Sequence, residues 1–429
     1  MIEPEVPLVG IDDVRAAAAR VYAVARRTAV SAPTAVARIV GADVVLKEEQ
    51  RQRTGSFKIR GAYNRMAALD HGTPVVAASA GNHAQGVALA AARLGLPATI
   101  FMPSSASLPK VNATEDYGAT VRFAGVSVDD AVVAARAYAD EHGATFVPPF
   151  DDPLVIAGQG TLGLELADDV PDATTVVVPV GGGGLISGVA VALKAVRPGV
   201  RVVGVEAAGA ASMAASVAAG APRTLRSLAT IADGIAVKSP SARTLAHVEA
   251  LVDGLVTVAD EAIAEAMLVL LERAKIVVEP SGAASLAAVM SGAVPRSGRV
   301  VCGLSGGNVD PLLLSRLVEH GLSAAGRYLR LRIAIPDRPC WPSSGSTCST
   351  SSTTARACPA STWATSSCRS WSRRAAPRTA TSAWPPCASA AGTSSSTDAR
   401  RPHEAGARSI ATRPTRRPRP RPSRARGWG

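Results

Sequence analysis

Between residues 43 and 320, short β-branched runs alternate with longer Ala-rich stretches whose apolar residues recur every three to four positions. One broad class of fold absorbs that alternation. Parallel strands buried on both faces read as unbroken Val/Ile runs, and each return crossing supplies a covering helix, so an α/β architecture of open, twisted, parallel-type sheets is expected. The expected strands are A-D-V-V-L-K from 42, P-V-V-A-A-S from 74, P-A-T-I-F-M from 97, T-T-V-V-V-P-V from 174, R-V-V-G-V-E from 201 and R-V-V-C-G-L from 299. An N-terminal helix is expected over D-D-V-R-A-A-A-A-R-V, with Asp12 placed to cap it.

The net charge of +12 would suit a nucleic acid or an anionic membrane if it were spread over the chain. It is not. Residues 340–429 hold 15 Arg, no Lys and two acids, a net of +13, which leaves residues 1–339 at −1. The same segment holds all five Trp and five of the six Cys, but no Leu, no Val and a single Ile, so it buries too little apolar surface to offset ordering and is expected to be a disordered tail. An out-of-frame origin fits this composition. The codons of Cys340, Trp341 and Pro342 (TGY TGG CCN), read from their third base, give Leu-Ala. No nucleic acid partner is expected. The start M-I-E-P-E-V-P has neither a basic nor an apolar leader region, and no apolar run reaches the length of a membrane span, so a cytoplasmic protein is expected.

Four stretches end expected strands or follow them, where open α/β sheets bind ligands. In S-F-K-I-R-G, Lys58 sits between Phe57 and Ile59 with Gly55 and Gly61 close by, a setting in which desolvation would lower an amine's pKa and leave it able to form a Schiff base. A solvated surface lysine is the plainer reading. In S-A-G-N-H-A-Q-G, Asn82 is able to aim its amide at a ring hydroxyl while Ser79 and backbone N–H groups bind a carboxylate, and His83 by itself says nothing of catalysis or metal. The run Gly181, Gly182, Gly183, Gly184, Leu185 between a strand and a helix makes a nest of N–H groups suited to phosphate. A dinucleotide site competes there, with Glu206 at ribose distance, although Ser187 stands where that fingerprint has its third glycine. Finally, G-L-S-G-G around Ser305 satisfies the nucleophile-elbow pattern of serine hydrolases, yet Asp310 and His320 crowd one expected helix, too near to complete a triad. No metal-ligand spacing is present.

Together the four motifs, in this order and spacing over roughly residues 10–325, resemble the serine/threonine dehydratase family of fold-type II pyridoxal phosphate enzymes, which also includes serine racemase. The resemblance implies a tryptophan synthase β-like fold with a large cofactor domain at 1–73 and 152–325 and a small domain at 74–151. It implies that Lys58 carries pyridoxal 5′-phosphate with Phe57 beside the ring, that Asn82 bonds the ring hydroxyl, and that Gly181 to Gly184 with Leu185 hold the phosphate. Ser305 would face the ring nitrogen, Glu279 would lie near the ring, and Ser79, Asn82 and His83 would meet the substrate. The implied activity is deamination of L-threonine to 2-oxobutanoate and ammonia, with L-serine as a secondary substrate, in amino-acid metabolism leading to isoleucine, by a homodimer or homotetramer.

Departures from the family pattern narrow this. Racemases place a serine where this chain has Ala80, so racemisation is expected to be poor. Metal-dependent members carry Glu-x-x-x-Ala-x-Asp after the sixth strand; here Glu206 and Ala210 match but Ser212 replaces the acid, so no metal is expected. Residues 326–339, ending D-R-P, are similar to the start of an ACT-type regulatory domain, but Cys340 replaces the glycine that normally follows.

Overall fold

The computed structural model describes residues 6–324, 329–333 and 353–357. Ten strands form two sheets. The larger contains β1 (Val30–Ser31), β2 (Asp43–Lys47), β7 (Ala173–Pro179), β8 (Arg201–Ala207), β9 (Gly254–Val258) and β10 (Arg299–Gly303). The smaller contains β3 (Val75–Ala78), β4 (Ala98–Met102), β5 (Thr120–Phe123) and β6 (Thr145–Phe146). Their orders are β1-β2-β10-β7-β8-β9 and β5-β4-β3-β6, and every pairing is parallel except β1 with β2.

The order of crossings locates the site. In the large sheet the chain runs outward from β7 to β8 and β9 and then returns to lay β10 on the other side of β7. In the small sheet it runs from β3 to β4 and β5 and returns to lay β6 on the other side of β3. Each reversal splits neighbouring loops apart at the carboxyl ends of two strands and opens a crevice there.

The six expected strands are all present, as β2, β3, β4, β7, β8 and β10. The N-terminal helix spans Ile11–Val21, but Gly10 is its N-cap, and it is Asp13, not Asp12, whose carboxylate accepts the Gly10 N–H at 2.9 Å. Asp12 lies inside the first turn and pairs with Arg15 instead. At the start of helix Pro153–Asp169, Asp152 accepts from the N–H groups of Leu154 and Val155, and Pro153 occupies the first turn where no N–H is needed.

One core cluster, including Val44, Leu46, Val177, Val203, Val300 and Cys302, lies against one face of the large sheet, and a second, including Val45, Val176, Val178 and Val301, against the other. The small sheet's cluster takes in Val75, Ala77 and Ile100 together with Val21, Val24, Ile59, Ala62 and Met66. The helix Lys58–Met66 therefore packs its apolar face under the small sheet.

Beyond residue 324, β11 (Leu329–Ile333) pairs antiparallel with β12 (Thr353–Ala357). β11 falls on L-R-L-R-I, whose apolar residues alternate with charged ones as in a half-buried strand. β12 falls inside the segment expected to be disordered; a ladder of main-chain hydrogen bonds requires no Leu or Val, and T-T-A-R-A supplies β-branched residues. The rest of the ACT-like start and of the Arg-rich tail lies outside the described residues.

Candidate active site

Lys58 opens a helix, following Phe57 as its N-cap. Its Nζ donates to the Pro149 carbonyl at 2.9 Å and lies 5.3 Å from the centre of the Phe57 ring. Burial lowers its pKa to about 8, against the opposing charge of Glu279. Gly86, in the helix Asn82–Leu94, packs directly on this lysine: a Cβ there would stand 3.2 Å from the Lys58 carbonyl carbon.

Pro149 and Phe150 follow β6, beside the loop that follows β3, so the small sheet's crevice supplies both the amine's acceptor and Asn82. Phe150 then reaches the glycine run of the large sheet. A Cβ on Gly182 would stand 2.2 Å from the Phe150 ring, and one on Gly184 2.9 Å from the Phe150 Cβ. Gly183, at φ +90°, caps helix Gly184–Val196 in the left-handed region that favours glycine, and a Cβ on it would meet Met213 and Thr244. Among the described residues the N–H groups of Gly182, Gly183, Gly184 and Leu185 make no hydrogen bond outside the helix. That leaves open donors at a helix N-terminus, in a run where side chains have no room, which fits the phosphate of pyridoxal phosphate.

At the large sheet's second crevice loop, Ser305 is buried. Its hydroxyl has one contact, donated to the Ser281 carbonyl at a long 3.5 Å, which leaves it able to meet a ring nitrogen. The hydrolase reading fails here. No histidine is bonded to Ser305 among the described residues, and Asp310 accepts the Leu312 N–H at the start of helix Pro311–Ala324, the helix that also carries His320.

Glu279 is the N-cap residue of helix Pro280–Met290, but its carboxylate makes no capping hydrogen bond. Its Oε1 accepts from Asn82 Nδ2 at 2.7 Å. Burial and the charge of Asp233 push its pKa up to about 7, against the Asn82 hydrogen bond and the cations Lys110 and Lys58. Gly306 makes this approach possible, since a Cβ there would stand 2.2 Å from Glu279 Oε1.

Two expected contacts change meaning. His83 is buried, its Nε2 is 2.8 Å from the Val147 carbonyl, and burial, followed by the charge of Lys58, drives its pKa to about 3. Its imidazole is therefore neutral, with one ring N–H spent on a main-chain acceptor. Glu206 does not reach for a ribose. Its two carboxylate oxygens accept the N–H groups of Met213 and Ala214, each at 2.8 Å, at the start of helix Ser212–Ala219. Ser79 accepts the Gly81 N–H at 3.1 Å and stays half-buried beside Asn82.

Sequence reading missed Pro149, Phe150, Asp233 and Lys110, the last two paired at 2.8 Å. It also missed a polar cluster beneath the lysine. Arg60, two residues after Lys58, bonds Glu49 at 2.8 and 2.9 Å, Glu165 at 2.7 and 3.0 Å and Thr161 at 3.0 Å, and Lys47 bonds Glu165 at 2.7 Å. All four charged side chains are buried. The one available signal was a lysine at 47 closing the apolar run V-V-L.

Comparison with known proteins agrees with this geometry. A sequence model of the family described as pyridoxal-phosphate dependent enzyme matches residues 22–306. The chain is 46% identical over 335 residues to an L-threonine ammonia-lyase of Thermotoga maritima, covering 77% of this chain and 84% of that protein. It is 50% identical over 306 residues to an L-threonine ammonia-lyase of Geobacter sulfurreducens, covering 70% and 76%. Among solved structures it superposes on maize serine racemase with a TM-score of 0.69 at 39% identity, covering 75% of this chain and all of that one. With a matching family sequence over most of its length, and a glycine cradle and a desolvated amine to receive the cofactor, the chain belongs to the pyridoxal-phosphate dependent enzymes.

Proposed function

We propose that this enzyme deaminates L-threonine to 2-oxobutanoate and ammonia, with L-serine as a secondary substrate. The observation that carries the reading is the half-buried, desolvated Lys58 amine, held between the crevices of two sheets in a chain 46% and 50% identical to two L-threonine ammonia-lyases. Pyridoxal phosphate, when bound, supplies an aldehyde with which amines condense and a ring that withdraws electrons from the substrate's Cα.

The chain's residues do the rest. A pKa near 8 leaves part of Lys58 neutral at physiological pH, so its Nζ serves first as the amine that holds the cofactor and then, once displaced by substrate, as the base that removes the Cα proton. Gly181 to Gly184 and Leu185 donate to the phosphate at a helix N-terminus, where the dipole favours negative charge. Phe57 flanks the ring, Asn82 donates to its hydroxyl oxygen, and Glu279 holds Asn82 in place. Ser305 offers the ring nitrogen a neutral hydroxyl. A carboxylate in its place would keep that nitrogen protonated, so the serine favours elimination of the β-hydroxyl over transamination. Ser79 and the N–H groups around Gly81 are placed for the substrate carboxylate.

Kinship extends the reading to a cytoplasmic homodimer or homotetramer on the route from threonine to isoleucine, with residues 74–151 forming the smaller of two lobes. The ACT-like start at 326–339 leaves control by an end-product amino acid a weaker extension.

The test is a purified protein assayed for keto acid from L-threonine and L-serine. A yellow protein bleached by borohydride, and a Lys58→Ala variant at least a thousandfold slower, are expected. Undiminished turnover of Lys58→Ala would overturn the assignment. Because Ala80 stands where racemases carry a serine, recovered serine should remain L; accumulation of D-serine would favour the racemase reading suggested by the maize neighbour.

A further inference from the structure

Asn308, the last residue of S-G-G-N, takes no part in the proposed chemistry, yet its side chain ends at the centre of the site. Its Nδ2 lies 2.7 Å from the Thr54 carbonyl, 2.8 Å from Asn82 Oδ1 and 3.3 Å from Gln85 Oε1. The Thr54 contact fixes the polarity of everything that follows. A peptide carbonyl only accepts, so the end of the Asn308 amide that faces it is the NH2 group. That NH2 then requires an oxygen from Asn82, which leaves the Asn82 NH2 facing Glu279 Oε1 at 2.7 Å. Turning the Asn82 amide over would set two NH2 groups face to face at one contact and two oxygens at the other.

The fold goes out of its way to admit this side chain. Gly55 adopts φ +70°, and a Cβ there would stand 2.2 Å from Asn308 Oδ1. The loop carrying Asn308 is stitched to the loop carrying Lys58 by Gly307 N–H to Gly55 O at 2.8 Å and Phe57 N–H to Ser305 O at 3.1 Å.

We propose that Asn308 is a positioning residue that sets which end of the Asn82 amide faces the cofactor, so that Asn82 presents a donor. The inference rests on the reading of Asn82 as partner of the ring hydroxyl. An amide NH2 has two hydrogens; Glu279 takes one and the other is left for the ring oxygen. A donor there favours the ionised oxygen, and an acceptor favours the protonated one.

The test follows the absorption bands of the holoenzyme and the dissociation constant of pyridoxal phosphate in a double-mutant cycle. Asn308→Asp keeps the shape but loses the donor. Asn82 should turn over, weight should move from the longer-wavelength band of the ionised ring oxygen to the shorter-wavelength band of the protonated one, and the dissociation constant should rise roughly tenfold. Asn308→Ala, which adds no charge, should move both readouts in the same sense by less, and it carries the test if the Asp variant does not fold. Combining Asn308→Asp with Asn82→Ala should change neither readout beyond Asn82→Ala alone. Additive effects, or a lowered melting temperature with unchanged bands in the Asn308 variants, would overturn the proposal. Unchanged bands in Asn82→Ala would instead overturn the reading of Asn82 on which the proposal stands.

Discussion

Lys58 and Glu279 are a coupled pair whose charges are set by burial, and this makes cofactor capture sensitive to pH. Only the neutral amine condenses with an aldehyde, and the neutral fraction rises as pH climbs through the pKa. With that pKa lowered to about 8, the rate at which the apoprotein develops the cofactor's colour should rise with pH and level off above about 8, where an exposed lysine would still be climbing toward 10 or above. Ionised Glu279 opposes the lowering, so Glu279→Gln should move the midpoint to lower pH; stopped-flow absorbance across pH 6 to 10 reads both. Arg60 makes a different kind of prediction. Replacing it with Met strands Glu49 and Glu165 in a dry interior, with only Lys47 left to balance Glu165. Losing one member of a buried charge cluster costs about 3–5 kcal/mol, and urea unfolding of the apoprotein should show a loss of that size. A loss under about 1 kcal/mol, as for a surface pair, would mean that the cluster does not anchor the Lys58 helix.

Among the elements, the strands legible in the sequence and those missed divide by position. β2, β3, β4, β7, β8 and β10 are interior strands, covered on both faces, and so they read as unbroken apolar runs. β1, β5, β6 and β9 are the edges. β1 and β6 are only two residues long, and β5 and β9 mix polar residues into the pattern, as Arg122 does in β5 and Thr257 in β9. The site divides in a similar way. Lys58, Asn82, Ser305 and the four glycines stood out because their motifs are local, whereas Pro149 meets Lys58 across 91 residues and Asn308 meets Thr54 across 254, distances that no run of sequence records. Glycines in helices were also opaque until the helices were placed. Helix Pro153–Asp169 turns Gly158, Gly160 and Gly163 against its neighbours, and Gly188 of helix Gly184–Val196 lies so close that a Cβ would stand 2.2 Å from the Ile156 carbonyl oxygen and 2.5 Å from the Gly160 nitrogen. Main-chain atoms cannot step aside, so Gly188→Ala should cost roughly 1–3 kcal/mol or more by forcing the helices apart. Gly199→Ala, with nothing within 4 Å, should stay within about 0.5 kcal/mol of the parent in the same melts.

For the whole molecule, basicity and chemistry occupy different parts of the chain. The family match ends at residue 306, the last residue of the proposed site is Asn308, and the excess of Arg begins after 340. A chain ended at residue 325 should therefore bind the cofactor with an unchanged visible spectrum while losing its retention on heparin, where retention depends on positive charge and falls with salt. Loss of the spectrum would show that the later segment supports the site. Within the part that carries the chemistry, Asn82 and the acceptor of the amine come from one sheet's crevice, and the glycines, Glu279 and Ser305 come from the other's. A disturbance that parts the two sheets by little more than an ångström thus disarms the enzyme while each sheet keeps its own ladder of hydrogen bonds. Fading turnover would be the first symptom of damage, and fading helicity the last.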